Sequence, residues 1–418
     1  MMRMLGRAAG AACVATILGG AAPAATTGNA GDLPFARGDF PAARAAYEAV
    51  PAKSPNREAA LRQLGLIALY ENRLGEAETR LHEALALDAA DTHASGALAE
   101  AERRDGKLVD VVALLKHIGR ADRAAEFALF GDAHPYRIVG APKAVTVKFE
   151  RTDPLPVISL TVNGQTGDFL IDTGAAEVVL DPKFAAAGKI PVSGNSNGTF
   201  AGGNRAAVSF GRIGRMMLGS LEVDDVPAML VPTAGFQSAT GGKLVSGVIG
   251  TEFLSHFRST LDFPAGKLVL EPRDAAPSGG AMVASTPFWQ LGDHFLVAPA
   301  QLNDSPKQLF LIDSGLAGFA LTAPASTLQM ANIPIPPPPP SASANPQGRT
   351  PVEAFPVRHL TVGGLTENDL KGLYGAFPLP LEGMLGVHVG GVISHVFFRP
   401  YAMTFDFVRM RIEVRKSK

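Results

Sequence analysis

Two short phrases of this sequence could carry acid–base chemistry, Asp172-Thr173-Gly174-Ala175 and Asp313-Ser314-Gly315. A carboxyl on a glycine turn can take or give a proton, and two brought face to face would supply an acceptor and a donor together. Held close, like charges cannot both ionise cheaply, so such a pair shares a proton. Glycine at 174 and 315 leaves no Cβ to keep one turn from approaching the other. Other chemistries lack their residues. The nine histidines are dispersed, without a His-Glu-x-x-His pair for a metal. No Gly-x-Ser-x-Gly elbow follows a strand. The one cysteine, Cys13, lies near the N-terminus.

The elements that must position the two aspartates occur twice in the same order. Beyond Pro142 the sequence alternates apolar and polar residues, with β-branched runs and turn signals, as strands and hairpins do. Residues 157–162 alternate, Asn163-Gly164 supplies a hairpin turn, and Phe169-Leu170-Ile171 runs into Asp172, with Val178-Val179-Leu180 following. Later Phe295-Leu296-Val297, a turn at Asn303-Asp304 and Phe310-Leu311-Ile312 lead into Asp313, followed by Phe319-Ala320-Leu321. Downstream, Val248-Ile249-Gly250 is expected to be answered by Met384-Leu385-Gly386, and Thr260-Leu261-Asp262-Phe263 by Thr404-Phe405-Asp406-Phe407. The pattern reads as a duplication, with halves at 144–276 and 277–418.

These phrases resemble the aspartic proteases of the pepsin and retropepsin type, whose lobes each contribute an Asp-Thr/Ser-Gly turn and, later, two apolar residues followed by glycine. Residues 247–254 look especially like bacterial retropepsin-like sequences. The resemblance implies an all-β two-lobed acid-protease-like domain over 144–418. It implies hydrolysis of a peptide or protein substrate by a water activated between Asp172 and Asp313, with no metal and no organic cofactor. Thr173 and Ser314 would bond across to the opposite turn, and Ala175 would complete the first one. A glycine-rich hairpin with Thr199, Phe200, Ala201, Gly202 and Gly203 at its tip would be the flap. Its counterpart is the proline run 336–340, so one flap is expected, on the first half. Leu316 departs from the family pattern, where a small or hydroxyl residue follows the glycine, and bulk there is expected to crowd the cleft. His388 and His395 read as ordinary loop or surface residues. Two other readings share this fold: an inactive peptide- or protein-binding module, and a retropepsin-like homodimer using Asp172 alone.

Ahead of this lies a different texture. From Asn29 to about Ala125 the chain is rich in Ala, Leu, Glu and Arg and repeats itself. Gly38-Asp39-Phe40, with Ala43 and Tyr47, aligns with Asn72-Arg73-Leu74, Ala77 and Leu81, then with Gly106-Lys107-Leu108, Val111 and Leu115, at a spacing of 34 residues. The pattern resembles the tetratricopeptide repeat family, which implies helical hairpins and a groove for a protein partner. The expected fold is multidomain: all-α tetratricopeptide-like helical repeats over 29–125, a linker at 126–143, then the all-β two-lobed domain. Residues 1–25 read as a signal peptide, with Arg3 and Arg7 before a short apolar run and Ala22-Pro23-Ala24-Ala25 after it. Export to a periplasmic or extracellular location is the expectation, with a mature chain that does not span a membrane. With 38 basic against 39 acidic residues, and no basic cluster, nucleic acid is not an expected partner.

Overall fold

The computed structural model describes residues 28–140, 144–200, 204–237, 240–337, 352–378 and 380–417. The expected signal peptide and Cys13 lie outside the described residues. A helical N-terminal region precedes a β-rich region. Among the described residues of this region seven helices pack each against the next: α1 (Asp32–Ala36), α2 (Phe40–Glu48), α3 (Arg57–Tyr70), α4 (Leu74–Leu87), α5 (Thr92–Arg104), α6 (Leu108–His117) and α7 (Ala121–Ala128). The 34-residue spacing has a backbone cause. Gly38, Asn72 and Gly106 each end a helix in the left-handed region, with φ of 74°, 55° and 79°, a conformation that Gly and Asn reach most cheaply. The next helix then begins two residues on and buries Ala43, Ala77 or Val111 at its close-packing position.

The helices are not a separate body. Phe35, Phe40, Tyr47 and Tyr70 share one apolar core with Leu309, Leu311, Leu316 and Leu381 of the β-rich region. The rings of Phe40 and Trp289 lie 5.2 Å apart. Nor are residues 126–140 of the expected linker a free tether. Helix α7 extends into it, and Arg137–Ile138 already pairs with residues 223–224 of the β-rich region.

The β-rich region folds the same way twice. In the first half, Val157–Val162 and Gln165–Ile171 form a hairpin over Asn163-Gly164, whose φ angles of 45° and 85° both lie in the left-handed region this tight turn needs. Gln165–Ile171 then runs parallel to Gly247–Ile249, which is antiparallel to Val178–Leu180, itself parallel to Leu221–Leu230. Asn204–Leu218 pairs with Leu221–Leu230 and returns to Val157–Val162, closing a barrel. The second half repeats each step with Phe295–Leu302, Gln308–Asp313, Gly391–Ser394, Leu321–Thr322, Leu365–Tyr374 and Glu353–Val362.

One expected correspondence is corrected by this register. Ile171 pairs with Ile249, and its counterpart Ile312 pairs with Ile393, so Val392-Ile393-Ser394 answers Val248-Ile249-Gly250. Met384 and Leu385 instead end a helix, Pro380–Leu385, that packs toward the helical region.

The halves join through six antiparallel strands in the order 145–151, 267–272, 257–262, 402–406, 411–415 and 282–287. At the midline Thr260 lies opposite Thr404 and their hydroxyls meet at 2.7 Å, so equivalent residues of the two copies pair about a pseudo-twofold axis. Beneath it Arg258 is fully buried, 2.9 Å from Glu271, 2.6 Å from Glu413 and 3.5 Å from Asp406. Removing one member of a buried ionic cluster strands the others without water, so Arg258→Met is expected to lower unfolding stability by about 3–5 kcal/mol. Urea denaturation measures this, and an unchanged midpoint would refute it.

Candidate active site

Each aspartate ends a buried strand. Phe169, Leu170 and Ile171 precede Asp172, and Phe310, Leu311 and Ile312 precede Asp313, all inaccessible to solvent or nearly so. Continuous apolar runs of this kind suit strands covered on both faces. Each turn is closed by its own aspartate: the Gly174 amide donates to Asp172 Oδ1 at 2.8 Å and the Gly315 amide to Asp313 Oδ1 at 2.7 Å.

The two turns are then locked to one another by four reciprocal bonds. The Thr173 amide donates to Ser314 Oγ and the Ser314 amide to Thr173 Oγ1, both at 3.0 Å. The hydroxyls pass their own protons on, Thr173 Oγ1 to the Ile312 carbonyl and Ser314 Oγ to the Ile171 carbonyl, again at 3.0 Å. Each of the two hydroxyls thus accepts from a backbone amide of the opposite turn and donates to the carbonyl of the residue before the opposite aspartate. The lock brings the carboxylates against the facing glycines. A Cβ on Gly174 would lie 2.8 Å from Asp313 Oδ2, and one on Gly315 would lie 2.2 Å from Asp172 Cγ. Neither glycine has positive φ; both are needed for space.

Behind the first turn, Thr251 Oγ1 donates to the Thr173 carbonyl at 2.8 Å. The equivalent place behind the second turn belongs to His395, which is 1% exposed and not a surface residue. Its ring faces the carbonyls of Ser314 and Leu316 and the Arg399 guanidinium, and lies 5.6 Å from the Phe263 ring. Burial, with Arg399 beside it, lowers its pKa from 6.5 to about 3, so it sits behind the turn as neutral imidazole. Sequence spacing gave no sign of this role. Once Ile393 is aligned with Ile249, however, His395 falls on Thr251. His388, by contrast, is a part-exposed partner of Glu382, with Nδ1 at 2.6 Å.

Leu316 does not crowd the cleft. It is 1% exposed and faces into the core shared with Phe35 and Phe40, so the helical region accommodates its bulk. Of the expected flap, Thr199 and Phe200 end the strand Val192–Phe200, which pairs with Asn204–Leu218, while Ala201, Gly202 and Gly203 lie outside the described residues. So do residues 338–340 of the proline run.

Buried titrating groups bracket the pH range in which the fold is most stable. Burial holds His395 and His256 near a pKa of about 3, so the unfolded chain binds protons that the fold refuses, and stability falls as pH drops below 6.5. Burial acts oppositely on Glu252 and Glu102, raising each to about 7, and it raises Glu126 well above its ordinary value. Glu252 and Glu102 favour the fold fully below their ordinary value of 4.5, and the contribution is lost as pH rises through 7. Between 4.5 and 6.5 the two trends oppose each other. Urea midpoints are therefore expected to peak at mildly acidic pH and fall on both sides, and a midpoint still rising at pH 8 would contradict the assignment.

Comparison with known families agrees with the first half of this geometry. A family model described as aspartyl protease matches residues 158–253, a span that runs from the first hairpin through Asp172-Thr173-Gly174 to Val248-Ile249-Gly250. Those residues are similar to the aspartyl protease family. No curated protein matches the chain.

Proposed function

We propose that this protein is an aspartic endopeptidase that assembles one catalytic site per chain from Asp172 and Asp313. The observation that carries the reading is the reciprocal lock between Thr173 and Ser314, which holds two aspartates on glycine turns against one another. One carboxylate would take a proton from a water as its oxygen attacks the scissile carbonyl carbon. The other would give its proton to the carbonyl oxygen, and collapse of the resulting tetrahedral diol would expel the amine after proton transfer to its nitrogen. The turns are rigid and buried before substrate arrives, the preorganisation from which rate is gained. The hairpin built on Val192–Phe200 serves as the flap. The single-chain reading is favoured over a homodimer because Asp313 already faces Gly174 in cis.

The helical hairpins, with their 34-residue period, are read as tetratricopeptide-type repeats for a protein or peptide partner, and residues 1–25 as an export signal to the periplasm or the exterior. The test is cleavage of an unbiased peptide library by the chain lacking residues 1–25, scanned from about pH 3 to 8 around the carboxylate and histidine range. Cleavage with an acidic to mildly acidic optimum supports the enzyme; no cleavage at any pH favours a binding module on the same fold.

A further inference from the structure

We infer that the helical region is a working part of the catalytic unit: Arg123 and Arg103 are positioning residues that hold the Asp172 turn through Glu177 and Glu252. The inference rests on the enzymatic reading above and extends it to residues outside the aspartyl protease match.

The chain leaving Asp172 is knitted to the segment after Ile249. The Thr251 and Glu252 amides donate to the Ala175 and Ala176 carbonyls, each at 2.9 Å. Gly250 fits because a Cβ there would lie 2.4–2.8 Å from the carbonyls of Glu177, Ala176 and Ala175. Two carboxylates project from this knot, Glu177 and Glu252, only 1% and 9% exposed. Their cations come from the helices. Arg123 of α7 places Nη2 2.5 Å from Glu177 Oε1, and Arg103 of α5 pairs with Glu252. Arg123 also binds Glu126 at 2.5 Å and lies over the rings of Phe127 and Phe210, while Arg103 binds Glu100 at 2.9 Å. A buried carboxylate is tolerated only with such a partner, so the knot depends on the helices for its charge balance.

The duplication supplies the control. At the positions of Glu177 and Glu252 the second half has Gly318 and Val396. That half meets the helices through apolar packing at Leu316 instead. The two halves therefore differ at these two positions, and only the first places carboxyl side chains there for the helical arginines. Helix α7 also braces the candidate flap, since a Cβ on Gly194 would lie 2.8 Å from the Asp122 carbonyl.

The test uses the full chain with Arg123→Met, read by amide hydrogen exchange at 172–177 and by kcat and KM. Exchange at 172–177 is expected to quicken about tenfold or more, and kcat to fall by a similar factor with KM within about twofold, because a misplaced turn costs rate more than binding. Exchange at 308–313 should stay at the parent level, and Arg123→Lys should recover part of both losses. Should Arg123→Met fail to fold, Glu177→Gln, which keeps an acceptor for Arg123, gives the same readout in milder form. Parent-like exchange at 172–177 in the folded variant overturns the inference. Faster exchange in a protein whose parent cleaves nothing upholds the grip and overturns the enzymatic reading instead.

Discussion

Gly315→Ala is expected to lower kcat/KM by about a hundredfold or more, because a displacement of about 1 Å in an active site is enough for that loss. The added methyl would stand 2.2 Å from Asp172 Cγ, closer than any carbon contact permits, and the facing carboxylate or the turn must give way. The backbone itself raises no objection, since Gly315 is not left-handed, so the variant is expected to fold. Gly174→Ala makes the mirror-image intrusion at 2.8 Å from Asp313 Oδ2 and should lose less activity. Steady-state kinetics on a cleaved library peptide, alongside urea midpoints for each variant, give the comparison. Parent-level kcat/KM in Gly315→Ala would mean that the turns do not face each other in the working enzyme.

Much of this architecture was legible because it follows from local chemistry. Asn163-Gly164 demands two left-handed residues and so announces its hairpin, and the 34-residue spacing reflects Gly38, Asn72 and Gly106 at helix ends. The duplication could be read through Thr260 and Thr404, which the fold sets directly opposite one another. The misplaced correspondence had a chemical cause. In the second half serine and histidine replace the glycine and threonine of Gly250-Thr251, and a helix happens to end in Met384-Leu385 just before Gly386, which imitates the missing phrase. Parallel pairing of Ile312 with Ile393 is a tertiary fact that no local pattern encodes.

What stayed hidden is what the helices do to the site. Arg123 and Glu177 are 54 residues apart in sequence, and nothing in the spacing of either points to the other. Leu316 looked like a flaw in a catalytic turn until the shared core with Phe35 and Phe40 gave its side chain a place. His395 likewise gained meaning only through burial against the second turn. Glu177 and Leu316 depart from a symmetrical duplication where the halves meet the helical region, which is itself not duplicated.

If both aspartates act within one chain, cleavage depends on each of them, and Asp172→Asn and Asp313→Asn are the decisive pair of variants. Asparagine keeps the shape of each turn, including an oxygen for the Gly174 or Gly315 amide, but can neither take nor supply the proton. Loss of a general acid or base typically costs about 10²–10⁴ in rate, so each variant is expected to fall into that range or below detection while remaining folded. Full loss in both supports the two-aspartate site. Undiminished cleavage by Asp313→Asn, with loss confined to Asp172→Asn, would contradict it.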